Sequence, residues 1–88
     1  MLFRSHGLLS FTQLYGLYQN KYNYYFHNEG SSMLEIRLRD SVSHAVLKTY
    51  FVSVGDTISD SLNMTDKNSK FYFEFYGTTD YVFSGCVQ

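Results

Sequence analysis

The sequence predicts an α+β fold, in which an N-terminal helix packs on a mainly antiparallel sheet of four to five strands. Three observations support this prediction. Apolar residues recur every three or four positions from Leu8 to Tyr22, which is the period of a helix. Two later segments alternate apolar and polar residues, which is the period of a strand. A capping pattern that starts at Thr57 predicts one short helix between two hairpins.

Residues 8–22 are predicted to form the N-terminal helix, with Ser10 as its N-cap. Gly16 inside this segment costs about 1 kcal/mol relative to alanine. Residues 22–27 favour a strand, because closely spaced aromatic side chains fit the surface of a sheet. A Glu-Gly-Ser-Ser stretch at 29–32 then marks a turn.

The first predicted hairpin covers residues 33–54. In residues 33–40, apolar side chains alternate with charged ones, which is the pattern of a half-buried strand. The apolar members are Leu34, Ile36 and Leu38. Residues 44–54 are rich in β-branched and aromatic residues and follow a short polar turn. They are therefore predicted to form the partner strand.

The short helix is predicted over residues 57–64. Thr57 and Asp60 fit a capping box, in which the Thr57 hydroxyl accepts from a free helix amide and the Asp60 carboxylate accepts from the cap residue's amide. The segment 50–58, YFVSVGDTI, resembles the opening of a LysM peptidoglycan-binding module. That resemblance implies the same capped helix start. The residues that follow depart from the LysM pattern, because they lack its second helix and closing strand.

The second predicted hairpin lies at the C-terminus. Residues 71–76 alternate phenylalanine with tyrosine and glutamate, so that Phe71, Phe73 and Phe75 share one face. The Gly-Thr-Thr-Asp stretch at 77–80 predicts a tight connection to a last strand, residues 81–87. The order of hairpin, short helix and hairpin is similar to a β-grasp arrangement.

Bulk composition limits the classes of function. The 88 residues form a single domain, 1–88, with a formal net charge of −1 and 17% charged residues. This excludes a basic nucleic-acid clamp and a charge-rich DNA mimic. Cys86 is the one cysteine, which favours a reducing, cytoplasmic location. No secretion signal is expected in the first residues, and no stretch approaches the roughly 20 apolar residues of a membrane span.

The chain is predicted not to be an enzyme. No nucleophile elbow and no glycine-rich phosphate loop occurs in the sequence. Cys86 with a histidine is the one Cys-His pairing available, and its place in the last strand favours a packing role. The spacing of His6, His27 and His44 does not indicate a zinc site. We therefore expect no catalytic residue, no metal and no cofactor.

Aromatic residues make up 19% of the chain, with 9 tyrosines and 8 phenylalanines, and this exceeds what a small core needs. Tyrosine is enriched at protein interfaces, because its ring is rigid and apolar and its hydroxyl is polar. We therefore predict a partner-binding surface on the aromatic strands, and the alternative is that several rings simply cover the small core. The predicted partner-binding residues are Tyr22, Tyr24, Tyr25, His27, Tyr72, Glu74 and Tyr76.

The favoured hypothesis is a small non-catalytic protein-binding module, typical of phage or mobile-element inhibitors that occlude a host defence enzyme. One alternative is single-stranded nucleic-acid binding on an aromatic sheet face. The stretch 70–77, KFYFEFYG, resembles the aromatic strand of an RNA-recognition motif in support of it. A further alternative is a self-assembling structural subunit that associates through an exposed sheet edge or the tyrosine face. No membrane partner is expected.

Overall fold

The computed structural model describes residues 2–12, 14–16, 19–65 and 69–88, with the backbone alone for residues 2–11 and 78–81. Its secondary structure consists of six strands. Across these ranges no helix occurs, and so none that could cross a membrane. The strands are β1 (Leu2–Phe11), β2 (Lys21–Asn28), β3 (Leu34–Asp40), β4 (Val46–Val52), β5 (Thr57–Asn63) and β6 (Phe71–Val87). The α+β prediction is therefore wrong, and the fold is all-β.

The 17-residue strand β6 organises the fold. Strand β3 pairs with its first part, residues 71–77, and β2 pairs with its last part, residues 83–87. Strand β4 extends the pairing beyond β3, and β5 extends it beyond β2, always antiparallel. This produces two three-stranded sheets that share β6: the first sheet, β4-β3-β6, and the second sheet, β5-β2-β6. Nearly every residue of β1 pairs with β6, which it contacts at residues 74–76 and 81–86.

The two sheets pack face to face around an aromatic core. Phe26 of the second sheet makes edge-to-face contacts with Phe73 and Phe75 of the first sheet, at centroid distances of 4.9 and 5.2 Å. Phe75 also stacks on Phe83 at 4.1 Å. Each fully buried phenylalanine contributes roughly 1.5–3 kcal/mol. The buried apolar side chains are Tyr15, Tyr22, Tyr24, Phe26, Leu34, Ile36, Leu38, Val52, Leu62, Met64, Phe71, Phe73, Phe75, Phe83 and Val87.

The predicted N-terminal helix over residues 8–22 is wrong. Strand β1 runs to Phe11, β2 begins at Lys21, and residues 13, 17 and 18 of the predicted helix lie outside the described part. The register of β1 against β6 shifts between Gly7 and Leu9. Such an irregularity interrupts the alternation of side chains, so the strand lacks the period that would identify it.

The predicted short helix at 57–64 is also wrong, because these residues form strand β5. The Thr57 hydroxyl contacts Nδ1 of His27 at 2.8 Å, across the pair of strands, instead of capping a helix. The Asp60 carboxylate accepts from the hydroxyl of Tyr50 at 2.6 Å. Strand β5 also replaces the helix that the LysM resemblance implies.

The predicted C-terminal hairpin is wrong, because residues 71–87 form one continuous strand. Residues 77–80 continue strand β6 instead of forming a turn, so the β-grasp arrangement fails as well. The inward face of Phe71, Phe73 and Phe75 is confirmed, since each is at most 1% exposed. The β3–β4 hairpin and the strand at 22–27 are also confirmed.

Candidate functional site

The outer face of the first sheet collects charged and aromatic side chains. Because residues alternate across a strand, burial of Leu34, Ile36 and Leu38 turns the intervening residues of β3 outward. The registers of β3 with β6 and with β4 then place outward residues in three rows across the sheet. These rows are Tyr76-Glu35-Phe51, Glu74-Arg37-Thr49 and Tyr72-Arg39-Val46.

Arg37 joins two of these rows. Its Nε donates to Oε2 of Glu35 at 2.5 Å, and this bond raises the pKa of the guanidinium. The guanidinium carbon lies 4.4 Å from the ring centroid of Tyr76, which is a cation–π arrangement. Arg37 is therefore engaged by both of its neighbours on the face.

Arg39 and Glu74 form the second ion pair of the face. Nε of Arg39 donates to Oε1 of Glu74 at 2.6 Å, and the Tyr76 hydroxyl donates to the same oxygen. Glu74 is only 7% exposed, so water screens this pair weakly. Burial, and then the bond to Glu74, raise the pKa of Tyr76. The two arginines and two glutamates balance in charge, and each guanidinium is paired with a carboxylate.

Exposed apolar side chains are concentrated in one segment of the chain. Of the eight large apolar side chains that are exposed among those described, six lie within residues 33–54. These six are Met33, Val42, Val46, Leu47, Phe51 and Val54. We refer to residues 33–54, strands β3 and β4 with the residues that flank them, as the hairpin surface.

A pocket of about 220 Å³ lies at one end of the hairpin surface. It is mostly apolar, with one carboxylate at its side. The lining residues are Met33, Glu35, Phe51, Tyr76 and Gly77. Phe51 is 62% exposed there, so an aromatic ring forms an open wall of the pocket.

The turn between β3 and β4 lies at the other end and is held by Asp40. Oδ1 of Asp40 accepts the amides of Val42 and Ser43 at 2.8 and 2.9 Å, and Ser69 donates its hydroxyl to Oδ2. The bond from Ser69, and then those from the two amides, lower the pKa of Asp40 to about 2. Val42 at the tip is 76% exposed. The tip is thus an ordered turn that presents an apolar side chain to solvent.

The second sheet has a different outer face. Tyr25 is 37% exposed there, and its register partners are Ser59 and Cys86. His27 lies beside it and contacts Thr57. The free thiol of Cys86 is half-buried.

Side chains close the gap between edge strands β4 and β5. The hydroxyls of Tyr24 and Tyr50 are hydrogen bonded to each other, and the Tyr50 hydroxyl donates to Asp60. Lys48 reaches Asp60 at 3.3 Å from the same strand as Tyr50. Burial raises the pKa of Tyr24 to about 12. Tyr24 is therefore a core residue, 2% exposed, whose hydroxyl belongs to this closure.

The structure separates the predicted partner-binding residues into three groups. Tyr72, Glu74 and Tyr76 come together on the outer face of the first sheet. Tyr25 and His27 lie on the outer face of the second sheet. Tyr22 and Tyr24 are buried in the core.

The exposed apolar residues of the hairpin surface were missed by the sequence prediction. A signal for them exists in strand β4, where Val46-Leu47 and Tyr50-Phe51 are adjacent pairs of large apolar residues. Neighbouring residues of a strand point to opposite faces, so each pair predicts one apolar side chain on the outer face. Among the described side chains no group with metal-ligating composition occurs, and the side chain of His6 lies outside them.

No family model and no curated protein matches the sequence. One solved structure of similar fold belongs to Bacillus endospore appendages, described as a novel family of disulfide-linked pili. It aligns with a TM-score of 0.70 and 13% identity over 99% of this chain and 80% of that chain.

A second similar fold occurs in the cryo-EM structure of Broad Bean Stain Virus, with a TM-score of 0.59 and 12% identity. The alignment covers 78% of this chain and 53% of the viral chain, so this chain spans about half the length of its viral counterpart. At such low identities the two likenesses establish the shared fold.

Proposed function

We propose that the protein is a non-catalytic structural subunit that assembles with copies of itself through the hairpin surface. The observation that carries this proposal is that six of the eight exposed large apolar side chains among those described belong to one hairpin, residues 33–54, where Met33 and Phe51 line the same pocket. Exposed apolar residues that are scattered singly need no explanation, whereas a cluster of them marks an interaction site. Association would remove this cluster from water.

The position of β4 supports the proposal. It is an edge strand of the first sheet as described. The Ser41 amide donates to the Lys70 carbonyl, in register with the β3–β6 pairing, so odd-numbered residues of β3 bond to β6 and even-numbered ones bond to β4. Ile36 therefore bonds to its β4 partner, Tyr50. The backbone groups of Thr49 and Phe51 therefore face away from β3. Edge strands with such groups are templates for pairing with another chain.

The structural likenesses support the proposal at the level of the fold. The two similar structures come from a pilus and from a virus, and both are assemblies of protein subunits. Disulfides link the pilus subunits in the first case. These 88 residues hold one cysteine, and one thiol joins two chains at most. Non-covalent contacts would therefore have to extend the assembly formed by this chain.

The other hypotheses remain predictions. The neutral, internally paired outer face of the first sheet favours neither phosphate binding nor a strongly charged partner. Inhibition of a host enzyme and a cytoplasmic location rest on composition. Enzyme inhibition and nucleic-acid binding each predict a result different from self-assembly in the experiment that follows.

The test is sedimentation of the purified chain over a thousandfold range of concentration, alone and as the Phe51→Lys variant. We expect the wild type to assemble. Loss of one buried phenylalanine contact, roughly 1.5–3 kcal/mol, should raise the concentration needed for assembly by about tenfold to a hundredfold.

Leu14→Lys is the matched control, because Leu14 is also exposed but lies outside the hairpin surface, and it should assemble like the wild type. A wild type that stays monomeric throughout contradicts the proposal. If such a monomer retains one protein from a nuclease-treated host lysate, the inhibitor hypothesis gains support. Nuclease-sensitive binding supports the nucleic-acid alternative.

A further inference from the structure

We propose that the pocket at the end of the hairpin surface receives the β3–β4 turn of a second copy, with Val42 as the inserted side chain. This inference rests on the proposed self-assembly and specifies the contact that drives it. The occupant is a second copy of this chain, and the contact is head to tail.

The pocket and the turn lie at opposite ends of the same hairpin. Met33 precedes β3 and Gly77 pairs with its first residue, Leu34. Val42 lies two residues after Asp40, the last residue of β3. The seven residues of β3 span about 20 Å at about 3.3 Å per residue. A copy therefore cannot fill its own pocket with its own turn, and the pocket is available to another copy.

Shape complementarity favours this occupant. A pocket of about 220 Å³ with walls of Met33, Phe51 and Tyr76 accommodates a small branched apolar side chain. Val42 is the most exposed large apolar residue among the described side chains, at 76%. Its turn is already ordered by the bonds of Asp40, so insertion costs little additional conformational entropy.

Charge complementarity also favours the head-to-tail contact. Three acidic residues lie on the segments at the pocket end: Glu35 lines the pocket and is paired with Arg37, and Glu29 and Asp56 belong to the chain segments next to Asn28. At the turn end, the Ser41 amide donates to the carbonyl of Lys70, which brings that exposed lysine to the turn. The Asp40 carboxylate lies at the turn as well and balances Lys70, so a second copy would bring a turn of balanced charge to an acidic pocket end, which favours this orientation over contact between two acidic ends.

A contact between different surfaces of identical subunits has a structural consequence. Each copy retains a free turn and a free pocket after it binds one neighbour, so the contact is heterologous. Heterologous contacts generate rings or open filaments, whereas a contact between identical patches stops at a dimer.

The experiment uses two variants that each destroy one half of the contact. Val42→Asp places a carboxylate on the turn and leaves the pocket intact. Met33→Arg fills the pocket and leaves the turn intact. Both positions are exposed, so the variants should unfold at the same denaturant concentration as the wild type. Leu14→Asp, outside the hairpin surface, is the control for an added charge.

We expect each variant alone to need at least about tenfold more protein to assemble than the wild type. An equimolar mixture of the two should form a complex of two chains and no longer species, because the Met33→Arg turn fits the Val42→Asp pocket and neither remaining end binds. The Leu14→Asp control should assemble like the wild type.

Three results would overturn the inference. If the wild type assembles and both variants assemble equally well, a different surface carries assembly, and the proposed function survives. If the variants fail alone and their mixture stays monomeric, the turn and the pocket do not meet each other. If the wild type itself is monomeric at every concentration, the proposed function fails together with this inference.

Discussion

The outer faces of the two sheets differ in how their side chains are used. On the first sheet, two arginines and two glutamates are paired with each other, and the exposed side chains of Val46 and Phe51 lie in the same rows. On the second sheet, outward residues of β5 such as Ser59 and Asn63 are small and uncharged, and Tyr25 stands among them. Both faces carry tyrosine, yet among the described side chains the first face alone combines an ordered polar network with several exposed apolar residues.

The comparison separates tyrosine content from exposed apolar surface, because the two sheets share the first and differ in the second. Tyr72 contacts His44 at 3.1 Å and Tyr76 is bonded to Glu74, so the hydroxyls of the first sheet are already engaged. Tyr22 and Tyr24 lie in the core. Six of the eight exposed large apolar side chains among those described belong to the hairpin surface, and none of the six is a tyrosine. These six residues support the proposal of self-assembly.

The largest expected effect lies in the second sheet, at Gly85. A Cβ atom at this position would lie 2.4 Å from Cδ1 of Phe26 and 2.6 Å from the carbonyl oxygen of Tyr25. Because one of these contacts is backbone, a side-chain rotation does not relieve it. We expect Gly85→Ala to lower the free energy of unfolding by about 3 kcal/mol, measured by denaturant titration.

Gly55→Ala serves as the control for Gly85→Ala. Gly55 has a φ of 81°, and no atom lies within 4 Å of the position that a Cβ would occupy there. The cost should therefore be only that of the left-handed backbone, about 1 kcal/mol. If the two variants lose equal stability, the close contacts of Gly85 with Phe26 and Tyr25 do not exclude a larger residue at this position.

The next largest effect is expected at the ion pairs of the first sheet, where the less exposed pair should contribute more to stability. Glu74→Gln removes the charge that Arg39 contacts in a place with little exposure to water, and it should cost about 2 kcal/mol of stability. Glu35→Gln alters the more exposed pair with Arg37 and should cost less. A reversed order of the two losses in denaturant titrations would show that burial does not determine the strength of these pairs.

The sequence was sufficient to predict elements whose pairing is regular. Strand β3 alternates strictly, and its burial follows that alternation from Leu34 to Leu38. The same holds for the inward phenylalanines at the start of β6. Period-2 burial leaves a direct trace in the sequence, because one face of each strand must be apolar.

The remaining elements depend on tertiary partners that the sequence does not reveal. Thr57 and Asp60 satisfy a helix cap by type, but in the fold they contact His27 and Tyr50 from other strands. Residues 77–80 have the composition of a turn, yet β6 continues through them because β1 pairs on both sides of that stretch. At the candidate site, the alternation of β6 was sufficient to predict that Tyr72, Glu74 and Tyr76 share one face. The pocket was not predictable, because its walls come from three strands whose register the sequence does not reveal.

The smallest expected effect concerns Asp40, which orders the turn of the first sheet. Its pKa in the folded protein, about 2, lies below the ordinary value of 3.8, so the folded state binds the proton less tightly than the unfolded state. The resulting stability is complete above about pH 4 and is lost as the pH falls towards 2. Asp40→Asn removes this contribution, so the stability of the variant should depend less on pH between 4 and 2 than that of the wild type. Asp60→Asn is the comparison variant. The pKa of Asp60 is lowered too, but by the hydroxyl of Tyr50, so this variant reports on the contact between β4 and β5 and leaves the turn intact. Equal curves for Asp40→Asn and the wild type, from denaturant titrations at each pH, would show that the Ser69 and backbone bonds do not hold the turn, and the ordered tip assumed for Val42 would lose its support.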